Sequence, residues 1–383
     1  MDKIVPFSEA GSVTPEQAIG TVSTDSHELE VASQWKLIWW KFRRHKVAMA
    51  GGLVVLAYYF VAIFASFFAP VHFETYKEDY VYAPPQQIHW FRDGQFFPHV
   101  SGYSFERDPK SFKKTWTINE EVVIPVSFFY HGEPYMLWGI IPSDLHLIGT
   151  TNPEDPFFLL GADKSGRDLF SRIIFSSQIS LTVGLVGVTL SLLLGILIGG
   201  ISGLVGGPLD NGIQRLIEIL ISIPTLPLWL ALAAIVPLDW SPLQVYLMIT
   251  VILSLIGWTG LARVVRSKFL SLREEDFILA ARLDGVPQGR MIFNHMIPSF
   301  LSHIIATVTL AIPGMILGET ALSFLGLGLR PPVVSWGVML QETQKVVVLA
   351  TYPWLLFPAV AIIIVVLALN FLGDGLRDAA DPY

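Results

Sequence analysis

The stretch IIFSSQISLTVGLVGVTLSLLLGILIGGISGLVGGPL, residues 173–209, runs for 37 positions without a charged side chain. A helix that crosses the hydrocarbon core of a bilayer needs about 20 mainly apolar residues. The stretch is therefore long enough to cross a membrane, and we expect a helix over about 178–202. The glycines from Gly199 to Gly207 predict a turn directly after it.

Five other apolar segments meet the same length requirement. The first, residues 47–69, has no charge over 23 positions and lies too deep in the chain to be a signal peptide. The others are about 211–236, expected to be kinked at Pro224 and Pro227, and about 243–262, 299–318 and 353–373. The sequence thus predicts an all-α polytopic membrane protein with six transmembrane helices.

The composition agrees with a membrane protein and excludes several other classes. Of the 383 residues, 52% are hydrophobic and 15% are charged, and the mean hydropathy is +0.55, whereas soluble domains carry about 25% charged residues. The net charge of −7 argues against a nucleic-acid binder, because a phosphate backbone requires a basic surface. The lack of cysteine excludes disulfide scaffolds, thiolate metal sites and cysteine nucleophiles.

Basic residues near the helix ends predict the orientation, since cytoplasmic loops are enriched in Lys and Arg. Residues 35–46, WKLIWWKFRRHK, precede the first span, so the N-terminus is expected to be cytoplasmic. Six crossings then place residues 70–175 outside, and residues 263–298 and the C-terminus inside. The loop at 263–298 agrees independently, because it carries six basic residues: Arg263, Arg266, Lys268, Arg273, Arg282 and Arg290.

The N-terminal segment divides into two parts. Residues 1–34 are polar and poor in aromatic residues, which predicts a disordered cytoplasmic tail. In residues 35–46, three tryptophans lie among basic residues, a pattern typical of an interfacial helix along the inner headgroups. A plain aromatic and basic anchor for the first span is the alternative.

Residues 70–158 differ from the rest and predict a small extracytoplasmic insert between the first and second helices. VVIPVSFFY (122–130) and PYMLWGII (134–141) favour short strands, so the insert is expected to be rich in β-structure. Its aromatic residues could contact substrate or a partner protein. Four of its histidines show no metal-ligand spacing and are expected to have structural roles: His89, His99, His131 and His146.

The predicted cytoplasmic loop contains EEDFILAARLDGVPQGRMIFNHMIP, residues 274–298. A helix in its first half is capped by Gly285 and cannot continue past Pro287. Small Ala280 and Ala281 would let another surface approach the backbone closely. The loop is therefore expected to be a cytoplasmic contact site, with a merely structural loop as the alternative. Helical spacing resumes after the turn at Met291, Ile292, His295 and Met296.

No segment predicts catalysis. Residues 161–168, GADKSGRD, come nearest to a phosphate loop, but Arg167 and Asp168 stand where the G-x-x-x-x-G-K-[ST] pattern needs other residues. They predict a turn before the second span. Glu218 and Glu319 lie in or beside spans, where ionisable groups are costly, and are candidates for a pathway through the membrane. Helix packing or a salt bridge is the alternative.

Four segments carry motifs. In the loop, Ala280, Ala281, Gly285 and Pro298 fit the EAA motif, although Leu279 stands where that motif usually has Glu. The others are LLGADKSGRDLFSRIIFSSQISLTVGL (159–185), ETALSFLGLGLRPPVVSWGVML (319–340) and FLGDGLRDAADP (371–382). Together they resemble the ABC-importer permeases of the dipeptide/oligopeptide family, specifically the C-type subunit. The signature residues are Gly161, Asp163, Gly166, Arg167, Asp168, Gly326, Gly328, Gly373 and Asp374.

The resemblance implies a type I ABC-importer permease fold over 159–383 and a coupling helix that seats in a separate ATPase subunit. The implied coupling residues are Ala280, Ala281, Asp284, Gly285 and Pro298. The implied partners are a homologous B-type permease subunit, two ABC ATPase subunits and an extracytoplasmic solute-binding protein, with membrane lipid and without nucleic acid. ATP and Mg would bind to the ATPases, so this chain is expected to hold no cofactor or metal and to be no enzyme.

The implied cargo is a di- or oligopeptide, with nickel, glutathione or oligosaccharide as alternatives within the same family. The implied location is a bacterial or archaeal cytoplasmic membrane. Arg377 and Asp378 would form a cytoplasmic cap or a second ATPase contact, and Gly326 and Gly328 a rigid turn. An ion-driven secondary transporter would predict internal repeats, and an intramembrane enzyme would predict paired catalytic residues; the sequence shows neither pattern.

Overall fold

The computed structural model describes residues 34–107, 109, 114–152 and 154–380. Apart from Gln34, the predicted tail at 1–34 lies outside the described residues. The described chain is mostly helical, with one small antiparallel sheet between the first long helix and the second.

Along the described chain, three α-helices come first, four β-strands follow, and the remaining α-helices come after the strands. The α-helices are α1 (Gln34–Arg44), α2 (Lys46–Ile63), α3 (Ala65–Phe68), α4 (Leu169–Val205), α5 (Gly207–Ser222), α6 (Thr225–Ala233), α7 (Pro242–Leu272), α8 (Asp276–Leu283), α9 (Gln288–Met291), α10 (Ile297–Ser299), α11 (Leu301–Phe324), α12 (Trp336–Leu340), α13 (Val346–Thr351) and α14 (Phe357–Ala380). The 3₁₀ segments are Glu78–Tyr80, Gln341–Gln344 and Pro353–Leu356, and a π-turn covers Ile292–Met296.

Among the described residues, five helices are long and apolar enough to cross a membrane: Lys46–Ile63, Leu169–Val205, Pro242–Leu272, Leu301–Phe324 and Pro353–Ala380. α5 and α6 pass the same test only as a pair, and they meet at 87°. The kink expected within 211–236 is therefore a break. Pro224 has no N–H and holds Ile223 in extended backbone, so α5 ends at Ser222.

α4 is longer than the sequence predicts, and it includes Gly199, Gly200 and Gly203, which were expected in a turn. The expected helix of 178–202 is instead the 37-residue helix Leu169–Val205. Gly195, Gly199 and Gly203 recur every fourth residue and face α7 so closely that a Cβ on Gly195 would lie 2.7 Å from Leu261 Cβ. Small residues at this spacing let two membrane helices pack backbone to backbone. The turn begins only at Gly206, where φ is +66°.

α2 and α14 also approach each other closely at a glycine. α2 lies along α14, where Gly51 approaches the carbonyl oxygen of Ala368 closely enough that a Cβ would stand 2.7 Å from it. α1, which covers most of the predicted interfacial helix at 35–46, contacts the end of α14 through Phe42. The largest apolar cluster joins α2, α4, α7, α11 and α14, so these helices form one bundle.

The insert contains a four-stranded antiparallel sheet in the order β1–β2–β3–β4, with bounds Ile88–Arg92, Gln95–Arg107, Lys114–Leu137 and Ile141–Thr150. The first half of β3 pairs with β2, and its second half pairs with β4. VVIPVSFFY lies within β3, whereas PYMLWGII, expected as one strand, includes the turn at residues 138–140 between β3 and β4.

The four histidines of the insert that are expected to be structural make contacts of that kind. His146 is buried between the carbonyl oxygens of Ala69 and Glu133, at 2.7 and 2.9 Å. His131 pairs with Asp144 at 2.8 Å, and His89 stacks on His99. Within the described ranges, no group of three or more His, Asp or Glu side chains is placed to hold a metal ion.

Candidate functional site

α8 carries the centre of the predicted coupling loop. Asp276 lies in its first turn, where a carboxylate interacts favourably with the helix dipole. At its other end, the N–H of Gly285 donates to the Arg282 carbonyl (3.2 Å) and that of Val286 to the Ala281 carbonyl (3.1 Å). These two bonds form a Schellman cap, and Gly285 adopts the φ of +74° that such a cap favours in glycine.

One face of α8 packs onto the bundle. Ile278 is buried in an apolar cluster with Phe269 near the end of α7, and Ala281, three residues further along α8, is also buried. Met291 and Met296, from the segment that leads into α11, complete the cluster. Because protein interiors are close-packed and resist compression, a displacement of α8 would be passed to both α7 and α11.

The opposite face of α8 is exposed. Ala280 and Phe277 are accessible, and Leu283 is 89% exposed. The two alanines that the sequence grouped together therefore differ, because Ala280 is exposed and Ala281 is buried. Exposed large apolar side chains grouped on one element indicate a binding surface. We call Phe277, Ala280, Leu283, Asp284 and Gly285 the α8 contact face.

The chain between α8 and α11 continues in short helical pieces. α9 is followed by the π-turn Ile292–Met296, and α10 carries the exposed Pro298 before the helix breaks at Phe300. The predicted second helix of the loop is thus present but irregular. Single π-turns occur frequently at functional sites in helical proteins.

An ion pair that the sequence analysis missed ties α5 to α7 at the same end of the bundle. Arg266 donates from Nε and Nη2 to the two carboxylate oxygens of Asp210, each at 2.5 Å. Ser202, near the end of α4, also donates to Asp210. A bidentate pair of this kind fixes both position and orientation, so the pair joins three helices close to the loop.

The signature residues at 161–168 form a compact turn at the opposite end of the bundle, next to the insert. Asp163 accepts hydrogen bonds from the backbone N–H of Ser165 (2.8 Å) and from the backbone and Nε of Arg167 (3.0 and 2.8 Å). It also pairs with Arg172 of α4, which is buried. The turn is possible because Gly161 and Gly166 both have positive φ. The turn that the sequence predicts before α4 is confirmed. The sequence did not indicate that Arg172 pairs with Asp163 in it.

A cavity of about 550 Å³ lies beside this turn, with Tyr82, Lys164, Arg172, Glu342 and Lys345 in its wall. Lys164 pairs with Glu342 at 3.4 Å. Arg172 Nε and Glu342 Oε2 are buried without a hydrogen-bond partner, and burial raises the pKa of Glu342. Because buried polar atoms are costly when unpaired, the cavity is a second candidate binding site.

The two acidic residues that the sequence proposed for a pathway are in different environments. Glu319 is fully buried in α11 and accepts hydrogen bonds from Ser323 and Ser335, each at 2.7 Å. Ser335 is the N-cap of α12, so Glu319 links α11 to α12. Glu218 is exposed on α5 and pairs with Arg215 at 2.9 Å. The structure therefore does not bring the two carboxylates together.

The other signature residues lie in turns and contacts near the last long helices. Gly326 has φ of +81°, and the N–H of Gly328 donates to the Leu322 carbonyl at 2.9 Å. Gly373 is buried against Leu310 of α11, whereas Asp374 is exposed. Asp378 lies 3.9 Å from His45, between α1 and α2.

Five long apolar helices of the described chain, in one bundle, are the architecture of a multi-pass membrane protein. The family model described as binding-protein-dependent transport system inner membrane component matches residues 168–383. This is more than half of the 383 residues, and the chain belongs to that family. Residues 33–85 match the N-terminal transmembrane domain of oligopeptide transport permease C, so the resemblance to a C-type subunit is confirmed.

Individual relatives support the same family assignment. The chain is 38% identical over 241 residues to the oligopeptide transport system permease protein OppC of Haemophilus influenzae, covering 63% of this chain and 75% of the relative. It is 41% identical over 223 residues to the dipeptide transport system permease protein DppC of Alkalihalophilus pseudofirmus, covering 58% and 71%. It is 36% identical over 241 residues to OppC of Bacillus subtilis, covering 63% and 76%.

Proposed function

We propose that this chain is the C-type permease subunit of an ATP-driven ABC importer for di- or oligopeptides. It would cross a bacterial or archaeal cytoplasmic membrane six times in the type I permease fold, with α5 and α6 together supplying one crossing. Both termini and the loop at 263–298 would be cytoplasmic, the insert at 70–158 would be extracytoplasmic, and α1 would lie along the inner headgroups. Its fold would include the β-rich insert and the permease domain at 159–383.

The observation that carries this proposal is the α8 contact face. Its apolar residues are exposed, while the other side of the same helix is locked into a cluster shared with α7 and α11. An ATPase that grips this face could therefore bias two membrane helices between two arrangements, which is what coupling of ATP hydrolysis to transport requires. Ala280, Asp284 and Gly285 would touch the ATPase, whereas Ala281 and Pro298 would support the helix and its exit.

The proposed importer also requires partner proteins. A homologous B-type permease subunit would complete the pathway, two ABC ATPase subunits would bind ATP and Mg, and a solute-binding protein would deliver cargo from the insert side. The cavity beside Arg172 lies on that side and would form part of the mouth that receives the cargo. This chain would then hold no cofactor and catalyse no reaction of its own.

Peptide is the proposed cargo because the relatives named above are oligopeptide and dipeptide permeases. The cargo of an importer is selected largely by its binding protein, so another solute carried by the same machinery is the alternative. The three relatives named above match 58–63% of this chain, and their names assign no role to the rest of it.

Gly285→Asp tests the coupling assignment. The substitution places a charge and a strained backbone at the end of the α8 contact face, so we expect the chain to reach the membrane while the ATPases no longer copurify and peptide uptake is lost. Gly94→Asp is the matched control, because Gly94 has a similar φ of +77° and equally open surroundings but lies in the insert. Peptide uptake by the Gly94→Asp variant should be preserved.

The measurements are the quantity of chain in the membrane, the ATPases recovered in mild detergent and ATP-dependent uptake of a labelled dipeptide. Uptake at wild-type level by Gly285→Asp would refute the coupling role. Uptake that persists without ATP and collapses on addition of an ionophore would instead support an ion-driven transporter.

A further inference from the structure

Two hydrogen bonds connect the hairpin formed by β3 and β4 to the chain at and just beyond the end of α2. Near its base, His146 lies 2.7 Å from the carbonyl oxygen of Ala69, just after α3. At its turn, the indole Nε1 of Trp138 donates to the carbonyl oxygen of Ile63, the last residue of α2, at 3.0 Å. Towards its turn the hairpin therefore runs back along the helix, in the direction of the membrane.

These contacts fix how deep the turn lies. The six residues from Ala69 back to Ile63 correspond to about 9 Å along a helix. Ile63 lies about 25 Å from Lys46, which begins α2 with a charge, whereas the hydrocarbon core is about 30 Å thick. With Lys46 at one boundary of the hydrocarbon, Ile63 and the turn that touches it lie inside the other boundary.

The turn has the composition that this depth requires. Residues 134–142, PYMLWGIIP, carry no charge. Trp138 is 56% exposed and Ile140 is 76% exposed, and Met136 and Ile141 are exposed beside them. The ion pair His131–Asp144 lies further towards the base. The apolar side chains are thus concentrated at the end that approaches the membrane.

The backbone of the turn is also compatible with a site poor in water. The N–H of Gly139 donates to the Met136 carbonyl (3.2 Å), and that of Ile140 to the Leu137 carbonyl (3.1 Å). An unpaired amide would be costly in lipid, so irregular backbone at this depth has to satisfy its own donors. The hairpin turn does so for the N–H groups of Gly139 and Ile140.

We propose that the β3–β4 turn is embedded in the leaflet of the membrane on the insert side and anchors the sheet to lipid. The surface is continuous with the exposed apolar side of α2, because the ring of Trp138 contacts that of Phe64 at 5.5 Å, and Phe60 and Ile63 are exposed below it. Tryptophan is enriched where hydrocarbon meets headgroups, which is the position of Trp138. The proposal requires that α2 crosses the membrane and does not depend on the cargo or on the ATPases.

The test uses the natural lack of cysteine in the chain. Ile140→Cys, in the full chain together with the subunits that purify with it, is labelled with an NBD fluorophore and reconstituted into phosphatidylcholine vesicles. The lipid is brominated either near the glycerol end of the acyl chains or near their methyl end. Thr115→Cys is the matched control, since Thr115 is also exposed but lies at the opposite end of β3.

For Ile140→Cys we expect blue-shifted NBD emission and loss of most of its intensity in lipid brominated near the glycerol end, with less loss in the other lipid. For Thr115→Cys we expect emission typical of water and no quenching by either lipid. Water-like, unquenched emission at position 140 would overturn the proposal. Blue-shifted emission that neither lipid quenches would also overturn it and would indicate that a protein surface covers the turn.

Discussion

At the scale of single residues, Asp168 has to satisfy two opposing requirements. Its carboxylate caps α4 by accepting from the N–H groups of Phe170 (3.3 Å) and Ser171 (2.7 Å), yet the side chain is buried. Burial raises its pKa to about 6. The sequence predicts a turn at Asp168, but neither its capping role nor its burial.

Asp168→Asn is expected to remove a pH dependence of stability. A carboxyl whose pKa is raised in the folded state stabilises the fold at low pH, and that contribution is lost as the pH rises through about 6. Asn keeps the cap without the charge, so the variant should lose less stability than the wild type between about pH 4 and pH 7. Thermal unfolding of the detergent-solubilised chain measures this, with Glu218→Gln as the exposed control. Parallel profiles for variant and wild type would contradict it.

At the scale of elements, the interface of α4 and α7 shows where sequence reasoning stopped. The apolar length of α4 is evident in the sequence, whereas the glycines from Gly199 onward predict a turn because glycine is a common helix terminator. Gly195, Gly199 and Gly203 instead face α7 at every fourth position. The four-residue spacing of the glycines is present in the sequence. The residues of α7 that they contact lie more than fifty positions further along the chain, so the contact could not be predicted.

Gly199→Val is expected to disrupt this interface. A side chain at Gly199 meets the backbone of Ala262 and cannot be accommodated unless the helices separate, and overpacking of a tight contact costs about 1–3 kcal/mol or more. Gly260→Val is the matched control, because Gly260 lies on an exposed side of α7 with no atom within 4 Å of the added Cβ. Size-exclusion chromatography of tagged chains should show loss of the monodisperse peak for Gly199→Val alone. An unaltered peak would mean that the helices are not packed as described.

At the scale of the whole molecule, the order of spans, the position of the insert and the capped loop could all be predicted from hydropathy, charge and motif. The 87° break between α5 and α6, the ion pair between Asp210 and Arg266 and the burial of Glu319 could not. Pro224 predicts a kink, but not an angle of 87°. The ion pair and the burial of Glu319 depend on side chains that come together from separate helices, and hydropathy along one helix contains no information about its neighbours.

Leu283→Asp tests the whole assembly through one side chain. Leu283 is 89% exposed on the α8 contact face, and Leu238 is 82% exposed near the other end of α7. If the α8 face binds the ATPase, an acid there should weaken the complex by about tenfold or more, the effect of losing an apolar anchor at an interface. Leu238→Asp should leave the complex intact, because it lies on the opposite side of the membrane in the proposed orientation. ATPase affinity can be titrated with the permease complex held in nanodiscs. Equal weakening by both variants would contradict the orientation, and no weakening by Leu283→Asp would remove the α8 face as the point at which ATP hydrolysis moves the membrane helices.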